Sequence, residues 1–291
     1  MNDKQSSQSA LGVAGMRAIE SEKPEAVRIC YDPFARAFIP TFTYVLLKPM
    51  INSGWYRRLS GGAVEFIVTR ERYIDDFLKA RLAEGLDQVV ILGAGFDTRA
   101  YRIAGIEKTR VFEVDHPATQ AVKLKRLKKV ADPLPAHVIF VPVDFNTQPL
   151  GERLMAAGYD EHGKTLFIWQ GVTYFLSAEA VDSTLAFIAN HSGPGSAVVF
   201  DYFYSETLSD TANGYGKQLR RAARLSGEAY MFGIDKGQLE PFLTQRGFRA
   251  VRNAPTEELK QLYLTGPNAG RPIPTGIAIA SATVNTQPLS R

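Results

Sequence analysis

Four short stretches gather the side chains whose types and spacing could do chemistry. The first, GAGFDTR at 93–99, follows the apolar run VVIL directly and brings a glycine pair, an acid, a threonine and an arginine. Gly93 and Gly95, with Ala94 between them, permit a sharp turn that leaves backbone N–H groups facing a ligand. The second stretch is VFEVD at 111–115. It sets Glu113 and Asp115 about twenty residues beyond the glycines, where an acid accepts hydrogen bonds from ribose hydroxyls. Val114 separates the two acids, so they share a strand face, and only one of them need reach a sugar. In the third, VDFN at 143–146, Asp144 offers an acceptor to an adenine amino group and Phe145 a ring to pack on it. The fourth, WQGVTYFL at 169–176, carries Gln170, Gly171 and Tyr174.

The glycine loop discriminates between nucleotide ligands. A dinucleotide site uses GxGxxG, whose third glycine lets a helix pack closely beside a pyrophosphate. Here Thr98 holds that third position, and Asp97 would repel a pyrophosphate. An acid at that point suits a ligand that carries an ammonium and no phosphate. S-adenosylmethionine, an adenosine joined to an amino acid through a sulfonium, is such a ligand.

Strands and helices must alternate to bring these stretches to one rim. Short apolar runs predict strands at 88–93, 109–115, 137–142, 165–170, 196–202, 247–252 and 275–284. The first five carry few charges, as strands covered by helices on both faces do. Helices are expected at 117–130, 148–157, 178–190 and 236–246 between them, and at 9–29, 32–39 and 64–85 ahead of the first strand. The reading is therefore α/β: a Rossmann-like, mostly parallel sheet of seven strands whose crevice lies at the C-terminal ends of the central strands. It divides into an N-terminal helical cap, 1–85, and a ligand-binding domain, 86–291, interrupted around 203–234 by a stretch long enough to be a lid. Aromatics are dense in that insertion and beside it, and Tyr202, Tyr204, Tyr230 and Phe232 are candidate walls of an acceptor pocket together with Tyr174.

Composition narrows the classes of function. Thirty-four basic against 30 acidic residues leave a net charge of +4, too small and scattered for a nucleic-acid footprint. The dense run KLKRLKK at 123–129 has Val122, Leu124, Leu127 and Val130 at helical spacing, so its lysines fall on a solvated helix face. The single cysteine, Cys30, permits no intrachain disulfide, which fits a reducing, cytoplasmic setting. The four histidines, His116, His137, His162 and His191, are dispersed, so no metal site is expected. No secretion signal or spanning segment is expected either, and no membrane or nucleic-acid partner. The sequence carries no sign of oligomeric state.

In order and spacing, GAGFDTRAYR, FEVDHPATQAVKLKRL, PVDF and WQGVTYFL resemble the leucine carboxyl methyltransferase family, in particular its bacterial S-adenosylmethionine-dependent branch. SALGVAGMRAIESEKPEAVRICYDPFA and RERYIDDFL resemble that branch's N-terminal segments, so the likeness runs from about residue 9 to 280. It implies a class I methyltransferase fold with the last strand antiparallel and S-adenosylmethionine as cofactor. Carried over by position, it implies Gly93, Ala94, Gly95 and Asp97 as the cofactor loop, Glu113 at the ribose, Asp144 with Phe145 at adenine, and Arg70 near the methionine carboxylate. The family often has a glutamate where this chain has Gln170, an amide that accepts a hydrogen bond but brings no charge.

The leading expectation is an O-methyltransferase acting on a carboxylate or hydroxyl of a small molecule in secondary metabolism, with catalysis by proximity and with Tyr174 and Gln170 as the candidate catalytic groups. No His/Asp pair is evident to serve as a base, which tilts the acceptor toward a carboxylate. A protein carboxyl methyltransferase and a methyltransferase-like binding protein with weak turnover are the alternatives. A nicotinamide oxidoreductase rests on the glycine loop and the acidic second strand alone.

Overall fold

The computed structural model describes residues 3–144, 148–209, 216–217, 219 and 229–285. Its sheet has the order β3-β2-β1-β4-β5-β8-β7. The strands are β1 (Gln88–Leu92), β2 (Arg110–Asp115), β3 (Val138–Pro142), β4 (Thr165–Trp169), β5 (Ala197–Tyr204), β7 (Phe248–Pro255) and β8 (Ile277–Val284). A two-residue strand, β6 (Gly233–Ile234), pairs in parallel with the far end of β5. β1 to β5 run parallel, and β8 lies antiparallel between β5 and β7. The sheet has the seven strands the sequence predicts and the antiparallel last strand that the resemblance implies, with β6 added. The strand order reverses at β1, which has β2 on one side and β4 on the other, and such a reversal opens a crevice at the strands' C-terminal ends.

The apolar runs carry no polar alternation because both faces of the sheet are covered. Val90, Leu92, Phe112, Phe167 and Phe200 pack on one side with Val181, Leu185 and Ile188 of α8 (Ala178–Asn190). Val89, Ile91, Val111, Ile168 and Val199 pack on the other with Phe66, Ile74 and Leu78 of α4 (Ala63–Ala83). The expected helix at 64–85 is thus part of the sheet's own helical layer.

The front of the chain departs from the expected helix at 9–29. α1 (Asp3–Ser21) stops earlier, ahead of Pro24, because the residue before a proline is disfavoured in helical backbone. The Asp32 carboxylate accepts the Phe34 and Ala35 N–H groups, both at 3.0 Å, and opens a 3-10 turn over Ala35–Phe38 where a helix at 32–39 is predicted. Two helices that periodicity does not flag follow, α2 (Thr41–Asn52) and α3 (Gly54–Leu59). Later in the chain, α6 (Pro117–Leu127) is capped by His116, whose Nδ1 accepts the Ala118 N–H at 3.3 Å. Arg271, between β7 and β8, ties the two ends of the fold together: it donates to both Glu20 oxygens at 3.0 and 3.1 Å and to Glu65 at 3.2 Å.

Candidate functional site

At the end of β1 the backbone turns through Gly93 and Gly95, with φ of +65° and +46°. A Cβ at Gly93 would overlap Val172 Cγ2, so the loop rests directly on the stretch that follows β4. Ala94 N–H donates to Val114 O at 2.9 Å, and Gly95 N–H donates to the Asp115 carboxylate. The other Asp115 oxygen accepts His116 N–H at 2.6 Å. The helix cap is therefore His116, and Asp115 is a half-buried carboxylate held at the tip of β2 beside the glycines. Glu113 has a different environment. It is 1% exposed, with Oε2 2.7 Å from Lys123 Nζ of α6. Burial raises its carboxyl even against the lysine.

Asp97 does not stand alone as an acid beside the glycines. It accepts Arg99 N–H at 2.7 Å and forms an ion pair with the same guanidinium. Arg99 is fully buried and also reaches Asp75 at 2.8 Å and Glu71 at 3.2 Å. Arg102 donates to Glu71 at 2.7 Å and to Asp75 at 2.9 Å. Arg17 of α1 donates to Glu71 at 3.1 Å and to the Phe96 carbonyl inside the loop. Glu71 is the hub of this network, touching all three guanidiniums. Burial alone would raise its carboxyl, but Arg99, Arg17 and Arg102 outweigh burial and hold it well below the usual carboxylate range. Arg99 and Arg102 thus anchor the loop, as paired carboxylates next to it require.

Gln170, at the end of β4, joins the same network. Its Nε2 donates to Glu71 Oε2 at 3.0 Å, which fixes the amide's orientation, since only the nitrogen can donate to a carboxylate. Its Oε1 is buried without a hydrogen-bond partner. The negative charge absent from position 170 is carried one hydrogen bond away, by Glu71 on α4. A glutamate here would face Glu71 directly.

A second polar group lies next to it. Arg70 pairs with Asp201 of β5, which also accepts Gly171 N–H at 2.6 Å and, through its carbonyl, the Thr173 hydroxyl. The Tyr174 hydroxyl is 3.5 Å from Arg70 Nη1. Burial, with the Asp201 charge, pushes this phenol well above its ordinary value, so it stays protonated. The Arg70 Nε is buried and unpaired.

The aromatic candidates divide between the two faces of the sheet, so they do not form one pocket. Tyr174 packs edge-on against Phe175 and at a tilt against Phe203 and Tyr230, at ring-centre distances of 4.7, 4.8 and 5.7 Å. Tyr202, Tyr204 and Phe232 belong to the core on the opposite face. Side chains alternate along β5, so 202 and 204 point away from 201 and 203. Their hydroxyls are taken by Asn253: Tyr202 donates to its Oδ1 at 3.1 Å, and its Nδ2 donates to Tyr204 at 3.2 Å. Asp144 follows β3, half-buried, next to Val143, which donates to the Asp115 carbonyl at 2.9 Å. Phe145 lies outside the described residues, as does most of the insertion between 210 and 228.

Gly93, Ala94, Gly95, Asp144 and Gln170 thus lie at or just beyond the C-terminal ends of β1, β3 and β4, while Asp97 is paired with Arg99 and Arg70 with Asp201 beside Tyr174. Sequence reasoning missed Glu71, Asp75, Asp201 and Arg17. Glu71 and Asp75 stand four apart in RERYIDD, the spacing that puts two acids on one helix face, and that was the available signal.

Comparison with known proteins assigns the family. The family model described as leucine carboxyl methyltransferase matches residues 10–189. YktD of Bacillus subtilis, provisionally named as an S-adenosyl-L-methionine-dependent methyltransferase, is 33% identical over 68% of this chain and 66% of its own length. A similarly named Streptomyces coelicolor protein is 38% identical over 64% of this chain and 65% of its own. These matches span just under two thirds of either relative. A third relative with that name, from Rhodococcus jostii, is 32% identical over 91% of this chain and 87% of its own length. The chain belongs to the leucine carboxyl methyltransferase family.

Proposed function

We propose that this chain binds S-adenosylmethionine at the ends of β1 to β4 and transfers its methyl group to an oxygen of a small-molecule acceptor, in the first place a carboxylate. The observation that carries the reading is a positive-φ glycine loop at the end of β1 whose Gly95 N–H meets the Asp115 carboxylate at the tip of β2, with the unpartnered Gln170 Oε1 at the end of β4. S-adenosylmethionine supplies a methyl group on a sulfonium, open to in-line displacement. The chain's part is to bind, orient and exclude water.

Asp115, rather than the lysine-paired Glu113, is assigned to the ribose hydroxyls, because it is the acid at the strand tip. Asp144 accepts from the adenine amino group. Gln170 Oε1 accepts from the ammonium, with Glu71 behind it supplying the charge through the amide. Arg70, steadied by Asp201, meets the carboxylate end with its unpaired Nε. Tyr174 is a donor to the acceptor and not a base, since its phenol stays protonated. The rings of Phe175, Phe203 and Tyr230 beside it suit an apolar acceptor such as a secondary metabolite. A carboxylate is already ionised at neutral pH and needs no base.

Calorimetric titration with S-adenosylhomocysteine tests the assignment. Asp115→Asn is expected to weaken binding about 10- to 100-fold, the worth of a charge-assisted hydrogen bond, and Glu113→Gln by less than about threefold. The reverse order would return the ribose to Glu113, and no binding at all would remove the cofactor. With a carboxylate acceptor, kcat is expected to stay level from about pH 6 to 9; a tenfold rise per unit would instead demand a base and a hydroxyl acceptor.

A further inference from the structure

α2 carries apolar side chains on both its inner and its outer face. Tyr44 and Ile51 face the fold, while Phe42, Val45, Leu46 and Met50 line its outer face at spacings of three and four. Phe42 is 77% exposed, and Trp55 on α3, which packs against α2, is 70% exposed. Leu59 repeats one turn beyond Trp55 and is also exposed. Six of the eleven exposed large apolar side chains among the described residues fall in this one segment, so they form a patch, where solitary exposed side chains would need no explanation.

Charge narrows what covers it. Residues 33–64 contain no aspartate or glutamate, but do contain Arg36, Lys48, Arg57 and Arg58. Two acids from outside the segment reach it: Glu22 pairs with Lys48 at 2.6 Å, and the buried Glu65 lies 3.5 Å from Arg57. Arg58 is exposed beside Trp55 and Leu59. A second copy of the chain is disfavoured, because a two-fold interface built on this patch would set its cations against each other. A surface of anionic lipid complements both properties. Tryptophan, phenylalanine and leucine enter the boundary between headgroups and acyl chains, and the exposed Arg58 meets the phosphates. At 12 residues α2 is far too short to span a bilayer, so it lies along the surface.

We propose that the outer face of α2 and α3 docks this protein on anionic membranes, as a peripheral attachment independent of which acceptor is methylated. The sequence carries no spanning segment and on that ground predicts no membrane partner. No helix among the described residues is long and apolar enough to cross one, and interfacial docking needs none.

The test is co-flotation of the full chain with vesicles of phosphatidylcholine alone and with added phosphatidylglycerol, together with Trp55 fluorescence and the mass in solution. Trp55 is one of two tryptophans, and the other, Trp169, is 2% exposed, so a blue shift on binding reports Trp55. The expected result is binding to the anionic vesicles at least about fivefold above the neutral ones, reversed by high salt. Phe42→Glu and Leu46→Glu, both at exposed positions and so without cost to folding, are each expected to reduce it about tenfold. No anionic preference would overturn the proposal. So would a dimer in solution that either variant disrupts, or a Trp55 shift produced by S-adenosylhomocysteine without lipid, which would mean that the face closes on the protein's own site.

Discussion

Glu71→Gln is expected to lower the stability of the fold by about 3–5 kcal/mol, the cost of taking one partner from a buried ion network. Glu71 is the group that Arg17, Arg99 and Arg102 share, and the substitution leaves three buried guanidiniums with poorer geometry on Asp32, Asp75 and Asp97. Denaturant unfolding at neutral pH measures the loss. The sign with pH follows from the depressed carboxyl: its contribution is fully present above the unfolded value of about 4.3 and is lost as pH falls through the lower folded value. Wild type and variant should therefore converge in acid. Gln170→Glu sets two carboxylates about 3 Å apart, and its cost at pH 7 cannot exceed about 4 kcal/mol, because protonating the added group relieves it. Combining the two substitutions moves the charge back across the hydrogen bond at 3.0 Å and should recover at least half of the loss. Simple additivity of the two losses would show that Gln170 and Glu71 are not a unit.

Gly93→Ala is expected to remove S-adenosylhomocysteine binding more completely than any loss of a side-chain contact. Two costs add. A φ of +65° costs an alanine about 1–2 kcal/mol, and the new methyl overlaps Val172, so either the turn opens or the chain after β4 retreats. Either response separates the loop from Gln170. We expect at least about 100-fold weaker binding, equivalent to some 2.7 kcal/mol. In a Val172→Ala background the overlap is gone and only the backbone share remains, so a large part of the affinity should return. Equal loss in both backgrounds would mean that the turn, and not its contact with β4, is what the ligand needs.

The sheet was legible because its strands are buried on both faces and read as unbroken apolar runs between turn signals. The boundaries of β1 to β4 fall within a residue of those predicted. α2 was illegible because its apolar residues lie on both its inner and its outer face, so no single stripe marks it, and Pro49 within it argues for a break. At the site, the glycine loop and the rim acids announce themselves by position along the chain. The Glu71 network does not, since its members come from α1, α4 and the loop after β1, and no local pattern shows that an arginine at 17 will meet a glutamate at 71. The split of the aromatics was missed because residue type says nothing of facing. The register of β5, which alternates Tyr202 and Tyr204 against Asp201 and Phe203, decides it.

The clamp that Arg271 places on Glu20 and Glu65 bears on the order in which the protein is made. α1 leaves the ribosome ahead of every partner that fixes it: Arg17 meets Glu71 only 54 residues later and the Phe96 carbonyl 79 later, while Glu20 waits 251 residues for Arg271. A helix made well before its partners is thus settled only when Arg271 arrives. During translation it is a segment that a chaperone can hold, and a stalled chain that ends before residue 271 would present it still unclamped.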